Sequence, residues 1–248
     1  MVSEENGEST LAKDSFEELR YIFNWRPSGE YYRSGDIILI GGWAVHSFNP
    51  WKYSLDMDFI ASNHFKNSLQ RHLYSARGYS KERNEAGNTL FLKKLPSGNI
   101  YLDFLPNKDQ FHGRMNTLDL SKIDYKTTTK NISYSFGAEF QVIVPEISML
   151  LLLKLKAAWD RYYELSLETL QDKDHLKNKF AKDCGDIVAL LYCNEFQFAR
   201  LDWLSTTISE FDFLKDFLKQ GIIEDNSAFD RISPKEEKAL VRKLLSLI

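Results

Sequence analysis

The spacing of apolar residues changes character a little past the middle of the chain. Before residue 145, short apolar runs alternate with helical segments and turn residues, which indicates strands mixed with helices. From Pro145 onward, the apolar positions follow helical spacing and no segment reads convincingly as a strand. Proline tolerates the first turn of a helix, so Pro145-Glu146 is a suitable helix start. The predicted organisation is a flexible tail, an α+β domain and a helical domain, covering residues 1–13, 14–144 and 145–248.

Turn and cap residues locate the elements of the α+β part. The run Ile37–Ile40 meets Gly41-Gly42, which predicts a strand that passes directly into a helix over about 42–48. A second strand is predicted at Met57–Ala61, and Ser62 or Asn63 then suits the N-cap of the next helix. The sequence Pro96-Ser97-Gly98 predicts a hairpin turn between two apolar strands. Two further predictions are a helix over 14–25 that ends at 26–29, and a strand within 134–145.

Two aspartates stand one residue apart at the second predicted strand. Side chains alternate along a strand, so Asp56 and Asp58 are expected to point the same way. Like charges at this spacing repel unless a cation lies between them, and Mg²⁺ favours carboxylate and phosphate oxygens. Asp103, a lone acid in the apolar run "IYLDFL", is expected to supply the third carboxylate of a two-metal site holding Mg²⁺ or Mn²⁺. Weaker candidates, because they lie in loop-like sequence, are Asp109, Asp119 and Asp124.

The glycine pair predicts an anion site next to these carboxylates. Gly41 and Gly42 close a strand and open a helix, so backbone N–H groups and the helix dipole face one spot. Without a side chain at Gly42, a triphosphate is expected to approach the backbone closely. Lys52 and Ser54 precede the aspartates and are expected to add a positive charge and a hydroxyl to the same pocket.

The order of these motifs is similar to that of a known superfamily. "GGWAVHSF", "KYSLDMDF" and "IYLDF" resemble the hG[GS], [DE]h[DE]h and h[DE]h motifs of DNA polymerase β-type nucleotidyltransferases. The resemblance implies a mixed sheet with flanking helices, followed by a helical bundle. The glycine pair and the later helical segment are similar to AbiEii-like nucleotidyltransferases, a group that includes toxins of toxin–antitoxin systems. The matching positions are Gly41, Gly42, Asp56, Asp58 and Asp103.

A second motif in the helical half extends this resemblance. "LLKLKAAWDR" and "KDCGDIVALL" resemble the K-x-x-A…R…KD-x-x-D-[IL] pattern of the same group, although the intervening segment 162–181 is longer than in compact members. In that family this region closes over the nucleotide, and a lysine reaches the triphosphate. Residues three or seven apart share a helix face, as Lys154 and Arg161 do. The positions that match the pattern are Lys154, Arg161, Lys182, Asp183 and Asp186, and all but Asp183 are expected to bind nucleotide.

Composition and charge narrow the setting. The net charge of −3 gives no general attraction to nucleic acid, so any RNA contact would use a local basic patch. Two cysteines without a CxxC pair favour a reducing cytoplasm, and the acidic N-terminus is unlike a signal peptide. The longest apolar run, 147–153, is far shorter than the roughly 20 residues of a membrane span. A GxxxxGK motif is absent, which argues against a P-loop enzyme.

The resemblance implies a nucleotidyltransferase, in the phosphotransferase class of enzymes. It would move a nucleoside monophosphate from a nucleoside triphosphate such as ATP to an acceptor hydroxyl, with release of pyrophosphate. The acceptor is expected to be an RNA end or a protein side chain, and an antitoxin is a candidate partner. One alternative is a small, antibiotic-like acceptor. Another is a non-catalytic nucleotide-binding interaction protein of the same fold.

Overall fold

The computed structural model describes residues 2–25, 36–83, 89–134, 139–167 and 173–247. The helix end predicted at 26–29 lies outside these residues. The chain divides into two compact units, each made of several stretches. The first unit comprises 1–47, 52–107 and 127–144, and the second comprises 48–51, 108–126 and 145–248.

Strands and helices are mixed up to Pro145, and helices follow. The strands are β1 (Ile37–Ile40), β2 (Met57–Ala61), β3 (Tyr79–Arg83), β4 (Thr89–Leu95), β5 (Gly98–Leu105), β6 (Lys108–Gln110), β7 (Thr117–Asp119), β8 (Thr127–Ser133) and β9 (Glu139–Pro145). The helices are α1 (Val2–Asn24), α2 (Gly41–Phe48), α3 (Asn63–Ala76), α4 (Ile147–Ser166), α5 (Lys173–Tyr192), α6 (Leu201–Ser209), α7 (Asp212–Lys219), α8 (Ile222–Asn226) and α9 (Pro234–Leu247). Short 3-10 segments cover Leu120–Tyr125 and Asn194–Phe198.

A mixed sheet organises the first unit. Among the described residues it has five strands in the order β1-β2-β5-β4-β3. The pairing of β2 with β5 is parallel, whereas the other neighbours in this sheet are antiparallel. The second half of the chain is helical in the part that the structure describes. The α+β class and the helical C-terminal region predicted from the sequence are therefore confirmed.

Local turn chemistry placed several elements correctly. Strands β1 and β2 have the predicted bounds, and Ser62 caps α3 by accepting a hydrogen bond from the Phe65 N–H at 3.2 Å. The hairpin between β4 and β5 turns at Pro96-Ser97. Strands β3, β6, β7 and β8 were not predicted. They are short or mostly polar on both faces, so their apolar alternation is weak.

The N-terminal segment, for which the sequence predicts a flexible tail over 1–13, is helical from Val2 onward. Helix α1 begins at Val2 and includes this segment. Its later part is anchored to the β4–β5 turn, because the Ser97 hydroxyl donates to the Asp14 carboxylate at 2.6 Å and Leu11 packs against Gly98. The acidic, polar sequence before Leu11 carries little apolar periodicity, so the sequence alone gives no helix signal there.

Buried polar contacts hold α2 in place beside the sheet. The Trp43 ring is fully buried and its indole N–H donates to the Ser15 hydroxyl of α1 at 3.0 Å. His46 lies at the other end of the helix, with its ring nitrogens 3.2 Å from the backbone oxygens of Lys52 and Ser133. Helix α2 therefore has its position fixed at both ends.

Helices α4 and α5 form the centre of the second unit. Both bury long apolar stretches, and Gly185 of α5 allows the Trp51 ring to lie against the helix, since a Cβ there would be 2.7 Å from the ring. The Asn49 side chain donates to the Ala189 carbonyl at 2.9 Å. Within the described ranges, no helix has both the length and the apolar character needed to cross a bilayer.

Candidate functional site

The first aspartate pair lies at the beginning of β2. Asp58 is the second residue of the strand, and its neighbours Met57 and Phe59 are fully buried on the opposite face. Asp56 lies one residue before the strand, in a bend. Side-chain alternation therefore governs Asp58 but not Asp56, so the expectation that both aspartates sit in one regular strand holds only for Asp58.

Asp103 is brought beside Asp58 by strand pairing. The two residues are register partners across the parallel β2–β5 pair. Register partners share a face of the sheet, and neighbouring strands lie about 4.8 Å apart. Asp103 is exposed, and one of its carboxylate oxygens accepts a hydrogen bond from the Phe104 N–H at 2.8 Å. The structure thus brings two of the three predicted carboxylates together on one face.

The weaker candidates for a third carboxylate lie in the second unit. Asp109 belongs to β6 and pairs with the Lys156 ammonium at 3.1 Å. Asp119 ends β7 and accepts hydrogen bonds from the backbone and hydroxyl of Ser121, which lower the pKa of its carboxyl group. Asp124 falls in the 3-10 segment that follows β7. Of the candidate third carboxylates, only Asp103 is a register partner of Asp58.

Gly41 connects β1 to α2 and touches the Asp58 carboxylate. Its φ is +68°, a conformation that costs other residues free energy, and a Cβ on it would lie 2.0 Å from an Asp58 carboxylate oxygen. Anions are favoured at a helix N-terminus. The space over Gly41 was expected to receive a triphosphate, whereas in this structure the Asp58 carboxylate takes that position. Gly42 follows as a buried residue.

The close approach to Asp58 should make Gly41 much less tolerant of substitution than another left-handed glycine. Gly78 has φ +72° with open space around it, so Gly78→Ala reports backbone strain alone, about 1–2 kcal/mol. We expect Gly41→Ala to lose that amount and more, because the new methyl group must displace the Asp58 carboxylate. Urea unfolding of both variants measures the difference. A double variant, Gly41→Ala with Asp58→Ala, should recover the excess, and equal losses in the two single variants would contradict the contact.

Ser54 and Lys52 have different surroundings. Ser54 is buried, and its hydroxyl donates to the Asp56 backbone oxygen at 3.1 Å. This hydrogen bond ties down the bend that leads into β2, so Ser54 positions Asp56 instead of presenting its proton to an anion. Lys52 is exposed, and its backbone oxygen lies 3.2 Å from a ring nitrogen of His46.

The carboxylates fit Mg²⁺ in chemical type but are not gathered as ligands. Carboxylate oxygens are what Mg²⁺ or Mn²⁺ prefers, and the backbone pairing brings Asp58 and Asp103 side by side. However, no group of three His, Cys, Asp or Glu residues within the described ranges is arranged to hold a metal ion. Asp58 lies against Gly41 and Asp103 accepts from Phe104, so their side chains would have to turn to share a cation.

A second group of charged residues lies between α4 and α5 and is called here the Lys154 network. Lys154 is only 6% exposed, and its ammonium lies 3.0 Å from the Asp183 carboxylate and 2.6 Å from that of Asp186. Arg161 pairs with Asp183, and the Lys182 ammonium is 3.9 Å from Asp186. The network thus unites all the positions that match the second sequence motif: Lys154, Arg161, Lys182, Asp183 and Asp186.

Trp51 is a member of this site that the sequence did not reveal. Its indole N–H donates to the Asp186 carboxylate at 2.9 Å, and its ring packs against Gly185. The sequence around Trp51 contains no pattern that predicts a contact with Asp186, which lies far along the chain. The tryptophan therefore supplies a neutral donor to a carboxylate that lysine side chains otherwise surround.

Mutual attraction keeps Lys154 and Asp183 charged despite their burial. Burial alone would lower the pKa of Lys154, but the Asp186 and Asp183 carboxylates outweigh it and the pKa is raised. Burial alone would raise the pKa of Asp183, but Lys154 and Arg161 outweigh it and the pKa is lowered. Three cations face two carboxylates. The positive excess falls on the more exposed side chains, Arg161 at 29% and Lys182 at 26%, whereas Lys154 is held internally.

Comparison with protein-family models and with curated proteins identifies no relative of this chain. No protein-family model matches this chain, and no curated protein matches it. The resemblance to nucleotidyltransferases therefore depends on the motifs and on the geometry of the residues that carry them.

Proposed function

We propose that this chain is a nucleotidyltransferase that moves a nucleoside monophosphate from a nucleoside triphosphate to an acceptor hydroxyl. The main support is the register pairing of Asp58 with Asp103 on parallel strands, beside a helix that begins at Gly41. Asp56 adds a third carboxylate one residue before β2. A triphosphate site needs ligands for a cation and hydrogen-bond donors for phosphate oxygens. Carboxylates at neighbouring strands supply the first, and the N–H groups at the start of α2 supply the second.

Asp56, Asp58 and Asp103 would hold Mg²⁺ or Mn²⁺ in this proposal. The bound cation would neutralise charge on the triphosphate. The backbone N–H groups at Gly41 and Gly42 would bind phosphate oxygens, because the helix start directs its dipole to that point. Asp58 has to leave Gly41 for this to happen, so the anion site opens only when the carboxylate turns away.

The reaction is a direct displacement at the α-phosphorus. The acceptor oxygen forms a bond to that phosphorus, the bond to the β-phosphate oxygen breaks, and pyrophosphate leaves. Asp103 accepts the hydroxyl proton, since its carboxylate is exposed and the Phe104 N–H fixes one of its oxygens at 2.8 Å. Catalysis in this scheme comes from positioning and charge neutralisation, without a covalent enzyme intermediate.

The nature of the acceptor is tested with labelled nucleotides. The purified protein is incubated with cell extract, Mg²⁺ and each α-³²P-labelled nucleoside triphosphate, and the label is followed into RNA, protein and small molecules. We expect label in RNA or protein, and label in small molecules would favour the antibiotic-like alternative. No transfer to any fraction, with no pyrophosphate release, would contradict the proposed activity.

A non-catalytic nucleotide-binding protein is the second candidate. It is favoured by the position of the Asp58 carboxylate over Gly41 and by the lack, among the described residues, of a three-ligand metal group. Calorimetric titration with Mn²⁺ and each nucleoside triphosphate distinguishes the two functions. Binding of nucleotide without pyrophosphate release, in the presence of the full extract, would support this second function.

A toxin role adds a requirement in living cells. Expression of an active nucleotidyltransferase toxin should arrest growth, and Asp56→Ala should relieve the arrest because it removes one of the proposed metal ligands. Growth curves of induced cultures measure this, with matched protein levels checked by immunoblot. Normal growth of cells expressing the wild-type chain would argue against the toxin role and against an antitoxin partner, while leaving the transfer chemistry to the labelling experiment.

A further inference from the structure

The region around α3 is basic in a chain that carries a net negative charge. Residues 59–81 contain no aspartate or glutamate, and they include four lysine or arginine residues. Over the whole chain, acidic residues outnumber basic ones. Arg77 pairs with Glu18 of α1, and the other three, Lys66, Arg71 and Lys81, make the stretch a local positive region of the kind that an acidic protein needs if it is to bind a polyanion.

A groove of about 620 Å³ lies along this region, entirely within the first unit. It is bounded by α3 on one side and by β3 and β4 on the other, and we call it the α3 groove. Its basic side chains are Arg71 and Lys81, and Asn67 and Gln70 add amide groups. The Arg71 guanidinium donates to the Asn67 carbonyl and to the Ser68 hydroxyl of its own helix, at 3.3 and 3.4 Å. Among the described residues, no carboxylate is paired with the Arg71 guanidinium.

Aromatic rings complete the groove. Tyr74 is 67% exposed, and Phe91 lines the floor. An exposed tyrosine that lines the same groove as two cations suits an unpaired base, because the ring can stack on the base while the cations contact the flanking phosphates. A base in a duplex would not offer its face in this way.

The α3 groove is separate from Asp58 and Asp103, the pair of residues called here the carboxylate row. Phe91 is the register partner of Leu102, and Lys81 is the partner of Phe91. Leu102 immediately precedes Asp103 in β5, so this row lies on the opposite face of the sheet from Asp103. Glu82, the first acid after the basic stretch, also points to the far face and pairs with Lys94 at 2.8 Å. It does not neutralise Lys81.

We propose that the α3 groove binds single-stranded nucleic acid, with Arg71 and Lys81 on the phosphates and Tyr74 stacked on a base. Binding at this groove does not require the proposed nucleotidyl transfer. If the transfer takes place, the groove holds the body of an acceptor strand and not its reacting end. An acidic peptide is the main competing ligand, and it would use the cations without needing the ring of Tyr74.

The test measures binding of a fluorescein-labelled oligouridylate, and of the matching oligothymidylate, by fluorescence anisotropy. The full chain is used, with EDTA and without nucleoside triphosphate, so that failure of binding and failure of the proposed activity remain distinguishable. We expect Arg71→Ala with Lys81→Ala to weaken binding about tenfold or more at low salt. The slope of log K against log salt should shrink by about 0.7 for each cation removed.

Two controls separate a groove from general electrostatics. Lys177→Ala with Lys219→Ala removes the same charge from exposed lysines outside the groove and should change Kd by less than about twofold. Tyr74→Ala should weaken binding about tenfold, whereas Tyr74→Phe should retain it because the ring remains. Circular dichroism checks that each variant is folded.

Several results would overturn the proposal. The proposal is wrong if neither the oligouridylate nor the oligothymidylate binds the wild-type chain. Binding of either one supports it. An equal loss in the Lys177 and Lys219 control would show that binding follows net charge only. Polyglutamate competing as well as an unlabelled oligonucleotide of equal charge, together with no effect of Tyr74→Ala, would identify an acidic peptide site instead.

Discussion

We expect Asp58→Asn to abolish the proposed transfer of α-³²P label in cell extract, with a loss of at least about a thousandfold. Asparagine keeps the shape of aspartate and still fits beside Gly41, but it removes the negative charge that the proposed cation site needs. Asp103→Asn should have a similar effect, because Asp103 is the register partner of Asp58 and the proposed proton acceptor. The measurement is label incorporated per minute at equal protein concentration.

The control for this experiment must change charge without touching the site. Asp230→Asn is suitable, because Asp230 is exposed in the second unit, and it should leave transfer unchanged. Urea midpoints of all three variants should stay close to the wild-type value, which separates loss of chemistry from loss of fold. Undiminished transfer by Asp58→Asn would show that the carboxylate row is not the site of the reaction.

Lys154→Met destabilises the second unit by about 3–5 kcal/mol, the second large effect that we expect. Methionine fills a similar volume, but the buried carboxylates of Asp183 and Asp186 lose the ammonium that contacts both. Breaking a buried ion pair from one side is costly because the remaining charges stay desolvated. Lys177→Met, at an exposed lysine with a 3.4 Å partner on its own helix, is the matched control and should barely change the urea midpoint.

The pH dependence of stability gives this variant a second readout. In the wild type, the folded pKa of Asp183 is lowered, so its stabilisation is present above the unfolded value and is lost as pH falls through the folded value. Without Lys154, the pKa of the buried Asp183 carboxyl group is higher in the folded variant than in the folded wild type. Lowering the pH from 7 toward 4 should therefore destabilise Lys154→Met less than the wild type, and a parallel decline in both proteins would contradict this account.

Sequence reasoning succeeded where the determining chemistry is local. The glycine pair after β1, the Ser62 cap and the proline turn before β5 each specify their own element, and the structure contains all three. The same reasoning anticipated that Asp103 would lie beside Asp58, because a hairpin partner carries β5 back to the sheet. Strand β3 was missed because it has one buried residue and gains its place by pairing with β4.

The features that the sequence does not indicate depend on contacts between residues far apart in the chain. The predicted boundary at 144/145 coincides with one passage between the units, but the segments 48–51 and 108–126 also belong to the second unit. Trp51 and Asn49 are held there by contacts with α5, which no local pattern around them reveals. The Asp58 carboxylate likewise lies against Gly41 through a tertiary contact. A motif describes only local sequence, so it does not indicate that this carboxylate occupies the expected phosphate site.

The parallel pairing of β2 with β5 has a consequence for how the protein is made. Asp58 is synthesised well before Asp103, and α3, β3 and β4 are all made between them. Contacts between such distant segments form late, since the intervening loop must close first. On the ribosome, a nascent chain stopped before β5 would lack Asp103, and the carboxylate row would be incomplete. Any activity that depends on this row therefore begins only after β5 has emerged and paired with β2.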